Sequence, residues 1–532
     1  MARTPRTPAE PKPRRRTAPR RGTSPAASPE ADAARATAAF TVRHYCQGIG
    51  DCHLLRFPRE DGGSYFMLID CGVHSGVSGG ADKVREIVAD IASVTKRIDL
   101  LVVTHEHWDH VSGFTSAAAA FGGIHVEDVW FGWTEDPDDP LARELDEYKG
   151  QALAALQAAS SRLAGLSGGD AHLGALRQGL SQILGFYFGA AGDNVRKARN
   201  AARRLAKGKV SYQQPGAGPL ALPGVAGIKI YVLGPPRDAA AIGLEERASE
   251  LYGHGLAGGR GMAMAKALLG CAGGADAFAE DESSPFDPEF GKALSEVLPL
   301  AGGSAAPKTA DLADASSAAL VELLHAHYSG PALAPTAGKA KAKPAAAVTV
   351  DQSWRRIDGD WLGLSADLAM RLDKGVNNTS LVLAFEFGNR RIALFVGDAQ
   401  VGNWLSWHDL KWEVNGTAVT GPDLMKRTVY LKVGHHGSHN ATLKAKGLEL
   451  MNDPDLSAFI PVNEADAKKI GWREMPFTDI LGALKLRAGA RVVRADEPWL
   501  ADGAIPPALA QGGGSLQAVR CKPKLWVEFD IR

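Results

Sequence analysis

Apolar positions come in short runs with strand character over the first part of the chain. AFTVRHYC (39–46), CHLLRF (52–57), SYFMLID (64–70), IDLLVV (98–103) and HVEDVWFGW (125–133) predict strands. Between the third and fourth lies a helical stretch, ADKVREIVADIASV (81–94). A second block of strands runs from about 377 to the end and closes in KLWVEFDIR (524–532). Two interruptions separate the blocks. Residues 141–209 are rich in Ala and Leu with helical spacing. After a stretch at 210–236 containing the strand IKIYVLGPP comes a second interruption, 237–376. It holds helical patches such as AMAKALLG and SSAALVELLHAHY, then the linker SGPALAPTAGKAKAKPAAAV (329–348). No period indicates a repeat architecture.

At 532 residues and 45% hydrophobic content the chain can bury a large core. The formal net charge is zero, so no global field marks a nucleic-acid partner. Charge is unevenly spread, however. Residues 1–38 carry nine Lys or Arg against Glu10, Glu30 and Asp32, amid Pro, Ala, Ser and Thr without apolar periodicity. That composition predicts a disordered basic tail, either a polyanion-binding arm or a solubilising extension. Its Arg-rich start hints at a transit peptide, but its prolines argue against an amphipathic helix. With no apolar signal core and no run of the ~18 apolar residues a span needs, the reading is a soluble, cytoplasmic protein without a membrane partner. Cys46, Cys52, Cys71, Cys271 and Cys521 form no CxxC spacing, which fits reduced thiols.

Chemistry concentrates at strand ends. Residues 101–113 read LVVTHEHWDHVSG, so an apolar strand runs into His105, His107, Asp109 and His110. Imidazoles and a carboxylate suit zinc or a similar first-row metal. Side chains two apart in an extended turn point the same way, so His105 and His107 can bind one ion. Asp109 and His110 face differently and can serve a second. RIALFVGDA (391–399) ends in Asp398, and VYLKVGHHGS (429–438) ends in His435 and His436. Three such strand ends suggest one rim of a sheet, where open α/β folds place their sites.

This set resembles the metallo-β-lactamase superfamily, and within it the branch containing the hydrolase domain of ComEC-type DNA-internalisation proteins. The matching segments are QGIGDCHLLRF (47–57), FMLIDCG (66–72), THEHWDH (104–110), VLGPP (232–236), NNTSLVLAFEFGNRRIALFVGDA (377–399), LKVGHHGS (431–438) and RVVRADE (491–497). The resemblance implies an α/β fold, a four-layer αββα sandwich, with two mainly helical insertions at 141–209 and 237–376 between halves at 39–140 and 377–532. It also implies two divalent metal ions, zinc first and manganese as the alternative. His105 and His107 would hold the first ion; Asp109, His110 and one of His435 and His436 the second, with His435 favoured; Asp398 would bridge. Asp109, Asp398 and His435 are thereby the catalytic candidates, and Asp70 would support the histidine loop from behind. Asn377, Asn378, Ser380, His436 and Ser438 lie near the rim as hydrogen-bonding groups for ligands or substrate.

One departure matters. Many members supply a third histidine to the first metal, and here none matches; His125, His172, His254, His325 and His327 stand in the wrong context. Glu135 and Asp136 are oxygen-ligand candidates in its place, and a weaker first site leaves room for Mn²⁺.

These ligands imply hydrolysis by a metal-activated water. No GxGxxG follows a predicted strand and no Walker A motif is present. The branch points to a phosphodiesterase or nuclease acting on nucleic acid or a nucleotide. A lactone, thioester or amide hydrolase of the same fold is the rival, and a non-catalytic metal-binding module using the insertions for a protein partner is another class. Cations at 196–209 favour a solvated helix face over a nucleic-acid grip. The tryptophans of WRRIDGDWL (354–362) and SWHDLKW (406–412) favour core packing over a base-stacking platform.

Overall fold

The chain's computed structural model describes residues 38–165, 180, 184, 193–243, 363–472 and 474–532. The tail at 1–37, the patches AMAKALLG and SSAALVELLHAHY, the linker at 329–348 and WRRIDGDWL lie outside the described residues.

Strands follow the apolar runs closely. In chain order they are β1 Phe40–Tyr45, β2 His53–Pro58, β3 Ser64–Ile69, β4 Arg97–Val102, β5 His125–Gly132, β6 Val210–Gln213, β7 Lys229–Gly234 and β8 Val382–Phe387. Then come β9 Arg391–Phe395, β10 Lys411–Val414, β11 Thr417–Thr420, β12 Thr428–Lys432, β13 Ser457–Ile460, β14 Val492–Arg494, β15 Leu516–Lys522 and β16 Trp526–Ile531. They form a mixed eight-stranded sheet, β15-β16-β1-β2-β3-β4-β5-β6, and a mixed six-stranded sheet, β14-β13-β12-β9-β8-β7, with β10-β11 as a separate hairpin. The stretch 210–236 therefore holds two strands, one in each sheet. The near-continuous apolar run of β4 fits its place between parallel neighbours β3 and β5, where both faces are covered.

Alternation along the strands builds two cores. Tyr65, Met67 and Ile69 of β3 join Leu383, Phe385 and Phe387 of β8 and Phe395 of β9 in one apolar cluster shared by the two sheets. The intervening residues Leu68, Val382, Ala384, Ile392 and Leu394 turn the other way. They share the second cluster with helix α1, Gly80–Val94, whose Val84, Ile87, Val88 and Ile91 recur at helical spacing. Four further helices bear on the site: α2 Pro140–Gly165, α3 Asp193–Leu205, α4 Gly363–Asn378 and α5 Val401–Ser406. Val195, Ala198 and Ala202 of α3 belong to the second cluster. Ala152, Ala155, Leu156 and Ala159 of α2 pack with Leu368, Ala369, Leu372 and Val376 of α4. The result is a mixed α/β protein in which both interruptions of the strand pattern send helices back towards the core. No helix among the described residues is long and apolar enough to cross a membrane.

Candidate metal centre

The site forms where the C-terminal ends of parallel strands meet. Asp70 follows β3, the His105–His110 segment follows β4, Asp398 follows β9, and His435 and His436 follow β12. The amide of Leu381 donates to the Thr104 carbonyl at 2.8 Å and ties the two sheets together at this rim. Gly72 is required here: a Cβ would lie 2.3 Å from the Asp109 carbonyl and 2.5 Å from the His110 nitrogen.

Four buried residues converge. Ligand atoms of Asp109, His110, Asp398 and His436 all lie within 4.8 Å of one another, so the group can hold a metal ion. His436 Nε2 is 2.9 Å from Asp109 Oδ2, and His110 Nε2 is 3.1 Å from Asp398 Oδ2. Beside this group, His105 Nε2 and His107 Nδ1 face each other at 3.1 Å. The His105 and His110 rings are 4.1 Å apart, so the pair and the group of four are contiguous.

Supporting contacts come from behind. Asp70 accepts from the Thr104 amide at 2.8 Å and its hydroxyl at 2.6 Å, and meets His110 Nδ1 at 2.8 Å. This leaves His110 Nε2 for the site, the arrangement by which a carboxylate orients a metal-binding imidazole. Asp398 Oδ1 accepts from the His435 amide at 2.9 Å, while its own amide donates to Ser380 Oγ at 3.0 Å.

The two members of the His-His pair part at this rim. Both residues sit at positive φ, 42° and 54°, so the chain coils tightly and their side chains diverge. His436, its Nδ1 2.7 Å from the Pro461 carbonyl, enters the group of four. His435, the favoured ligand, contacts Gln400 Nε2 at 3.1 Å and Ser438 Oγ at 3.0 Å through Nδ1 and stands outside the group of four. Asn378 Nδ2 donates to the Ile242 carbonyl at 3.0 Å and its Oδ1 accepts from the Asn403 amide at 3.1 Å. Neighbouring Asn377 is fully buried, and neither end of its amide is hydrogen-bonded.

The oxygen candidates for the first site serve elsewhere. Glu135 binds Arg199 Nη1 at 2.7 Å, and Asp136 Oδ1 accepts from the Asp138 amide at 3.0 Å to cap a turn. Arg199 also binds Glu106 Oε2 at 2.9 Å, and Glu106 contacts Lys149. Arg199 is thus interior rather than part of a solvated face, although Arg196, Lys197, Arg204, Lys207 and Lys209 are exposed. His125 is a surface partner of Glu127 at 2.9 Å; the other four unmatched histidines lie outside the described residues. Trp407 packs on Trp404 at 4.2 Å and Trp412 is buried, so both serve the core.

Three residues absent from the sequence assignment border the site. Asp51 contacts Lys432, and both are 1% exposed. Asp373 of α4 places Oδ1 3.5 Å from His107 Nε2. Asp51 and Lys432 lay inside the quoted segments QGIGDCHLLRF and LKVGHHGS; no sequence signal marked Asp373.

Electrostatics describe a site built for cations. Burial opposes charge on every member, yet Asp398, Asp51, Asp109 and Asp70 together raise the His110 pKa well above its ordinary value. His436 is raised as well, against its burial, by Asp109 and Asp398. Asp109 and Asp398 are held low despite burial, each chiefly by His110. In His105 and His107 burial prevails: His105 falls well below the usual range and His107 to about 4, leaving neutral imidazoles with a lone pair to offer. Asp373 is pushed well up by burial and by Asp109 and Asp398. Without an ion, protons on imidazoles must balance these carboxylates; a divalent cation can displace those protons. The donor set fits a metal.

Compared with family models, curated proteins and solved structures, the chain matches none.

Proposed function

We propose that the chain is a metal-dependent hydrolase of the metallo-β-lactamase fold, ComEC-like branch, cleaving phosphodiesters of nucleic acid or nucleotides. The observation that carries this reading is the convergence of Asp109, His110, Asp398 and His436 from three strand ends on one buried point. Two sheets sharing one apolar core, with helices on their other faces, support a four-layer αββα sandwich. The 3.1 Å between His105 Nε2 and His107 Nδ1 supports a second ion. Two neutral imidazole nitrogens facing each other that closely would offer their lone pairs to one ion. His105 and His107 would then hold one ion and Asp109, His110 and His436 the other, with Asp398 as a further ligand. Zinc suits the imidazoles, and manganese remains the alternative for the histidine-poor first site.

Bound divalent ions supply Lewis acidity and lower the pKa of water. The residues supply fixed geometry: Asp398 is held by the His435 amide and faces His110, and His110 is held by Asp70. Turnover is expected to depend on the ions, which would replace the protons that otherwise balance Asp109 and Asp398. Preference for a phosphodiester over an acyl substrate rests on the likeness of the GDA and HHGS segments to the branch. The test is turnover of bis(p-nitrophenyl) phosphate, nitrocefin and a lactone by metal-stripped protein reconstituted with Zn²⁺ or Mn²⁺. Metal-dependent phosphodiester cleavage is expected; acyl cleavage alone would reassign the substrate, and no turnover with bound metal would point to a binding module.

A further inference from the structure

Helix α4 ends the second insertion against the histidine pair. Its Asp373 is 4% exposed, and Oδ1, which makes no hydrogen bond, lies 3.5 Å from His107 Nε2. The other nitrogen of that ring, Nδ1, faces His105 Nε2. A neutral imidazole offers one lone pair and one N–H. If Nδ1 turns its lone pair to an ion shared with His105, Nε2 carries the hydrogen, and the carboxylate oxygen it meets is that of Asp373.

We propose that Asp373 is the positioning residue of the first metal site, accepting the Nε2–H of His107 and locking the tautomer that presents Nδ1 to the ion. This rests on His105 and His107 being ligands. The second site already shows the same device: Asp70 takes Nδ1 of His110 at 2.8 Å and frees Nε2. At 3.5 Å the Asp373 contact is long, and closing by a few tenths of an ångström makes it a hydrogen bond, charge-assisted once a bound cation offsets Asp109 and Asp398, the acids that push the Asp373 carboxyl up. The role accounts for a buried carboxylate, costly without a partner, placed beside a site that lacks its third histidine. It also gives the second insertion a purpose, since the helix that ends it sets the affinity of the first ion.

The experiment uses the full chain, Asp373→Ala and Asp373→Asn, with near-ultraviolet circular dichroism as a check on folding. Zinc affinities of both equivalents are measured by chelator competition, and the His107 tautomer by long-range proton–nitrogen NMR, assigned with His107→Gln. Asp373→Ala is expected to weaken one equivalent by about 10- to 100-fold, the usual loss on removing a ligand's orienting partner, and to leave the other unchanged. Asp373→Asn, which keeps an uncharged acceptor, should recover part of that loss, and wild-type His107 should carry its hydrogen on Nε2. Unchanged affinities in Asp373→Ala, or a hydrogen on Nδ1 in the wild type, would overturn the role of Asp373 alone. A wild-type chain that binds no metal would instead sink the metal site itself.

Discussion

Lys432→Met should destabilise the protein far more than a lysine substitution usually does. Lys432 stands at the end of β12 in the six-stranded sheet, and its partner Asp51 leads into β2 of the eight-stranded sheet, so the pair clamps the sheets beneath the metal centre. The ammonium also donates to the Gly397 carbonyl at 3.1 Å and lies 3.9 Å from Asp398. Removing one partner of a buried pair leaves an uncompensated charge, at a cost of about 3–5 kcal/mol. That is roughly a 150-fold or greater loss in the folding constant, at ~1.4 kcal/mol per tenfold. The pH dependence gives the mechanism away. In the wild type, burial would raise the Asp51 pKa, but Lys432, His110 and His53 together outweigh burial and hold the carboxyl well below its usual range. Its stabilising contribution is therefore present above the unfolded value of ~3.9 and is lost as the pH falls towards the folded one. In the variant burial acts with less opposition, the pKa rises, and protonation relieves the penalty on acidification. The gap between variant and wild type, read from urea denaturation of the metal-free proteins, should be largest at neutral pH and shrink towards pH ~5. Asp51→Asn in the Lys432→Met background should recover part of the loss. A cost below about 1 kcal/mol at neutral pH, or a gap indifferent to pH and to the second substitution, would refute this account of the clamp.

His436→Ala should lose one bound metal equivalent and phosphodiesterase turnover, whereas His435→Ala should keep both ions; elemental analysis beside kinetics separates them, and the reverse pattern would restore His435 as the ligand. Asp109→Ala and Asp398→Ala should each lower turnover by roughly 10²-fold or more with circular dichroism near wild type, as expected on losing ligand geometry; full activity in either would mean the site is misplaced. Glu106 sits at about 2 because Lys149 and Arg199 outweigh its burial. Its stabilisation is complete above the unfolded value of ~4.3 and fades as the pH falls from there towards about 2. Glu106→Gln should thus flatten the acid limb of the stability curve in that window, and an unchanged limb would show that the pair adds nothing.

The strands and the strand ends carrying His and Asp were legible because both are local signals: alternation fixes a strand, and four potential ligands in six positions suit a cation. What lay beyond reach depends on geometry that spacing does not carry. His435 and His436 are adjacent in sequence, and only two successive left-handed residues decide which enters the cluster. Glu135 follows a strand as a ligand would, yet Arg199, a cation on a helix read as solvated, turns inward to claim it. Asp373 is one acid on an ordinary amphipathic helix, distinguished solely by the histidine it meets in space.

The pairing of β1 with β16 sets a timetable for biosynthesis. Phe40 lies opposite Ile531 and Tyr45 opposite Trp526, and the Thr41 hydroxyl bonds Asp530 across 489 residues of chain. At ~5–20 residues per second a ribosome needs on the order of half a minute to a minute and a half to span that distance. Through that interval β1 has β2 on one side and an open edge on the other, apolar on the face that later meets the second sheet. Such long-range closure also slows the search for the native state. Production at lowered temperature, where synthesis and collision both slow, should raise the yield of folded protein.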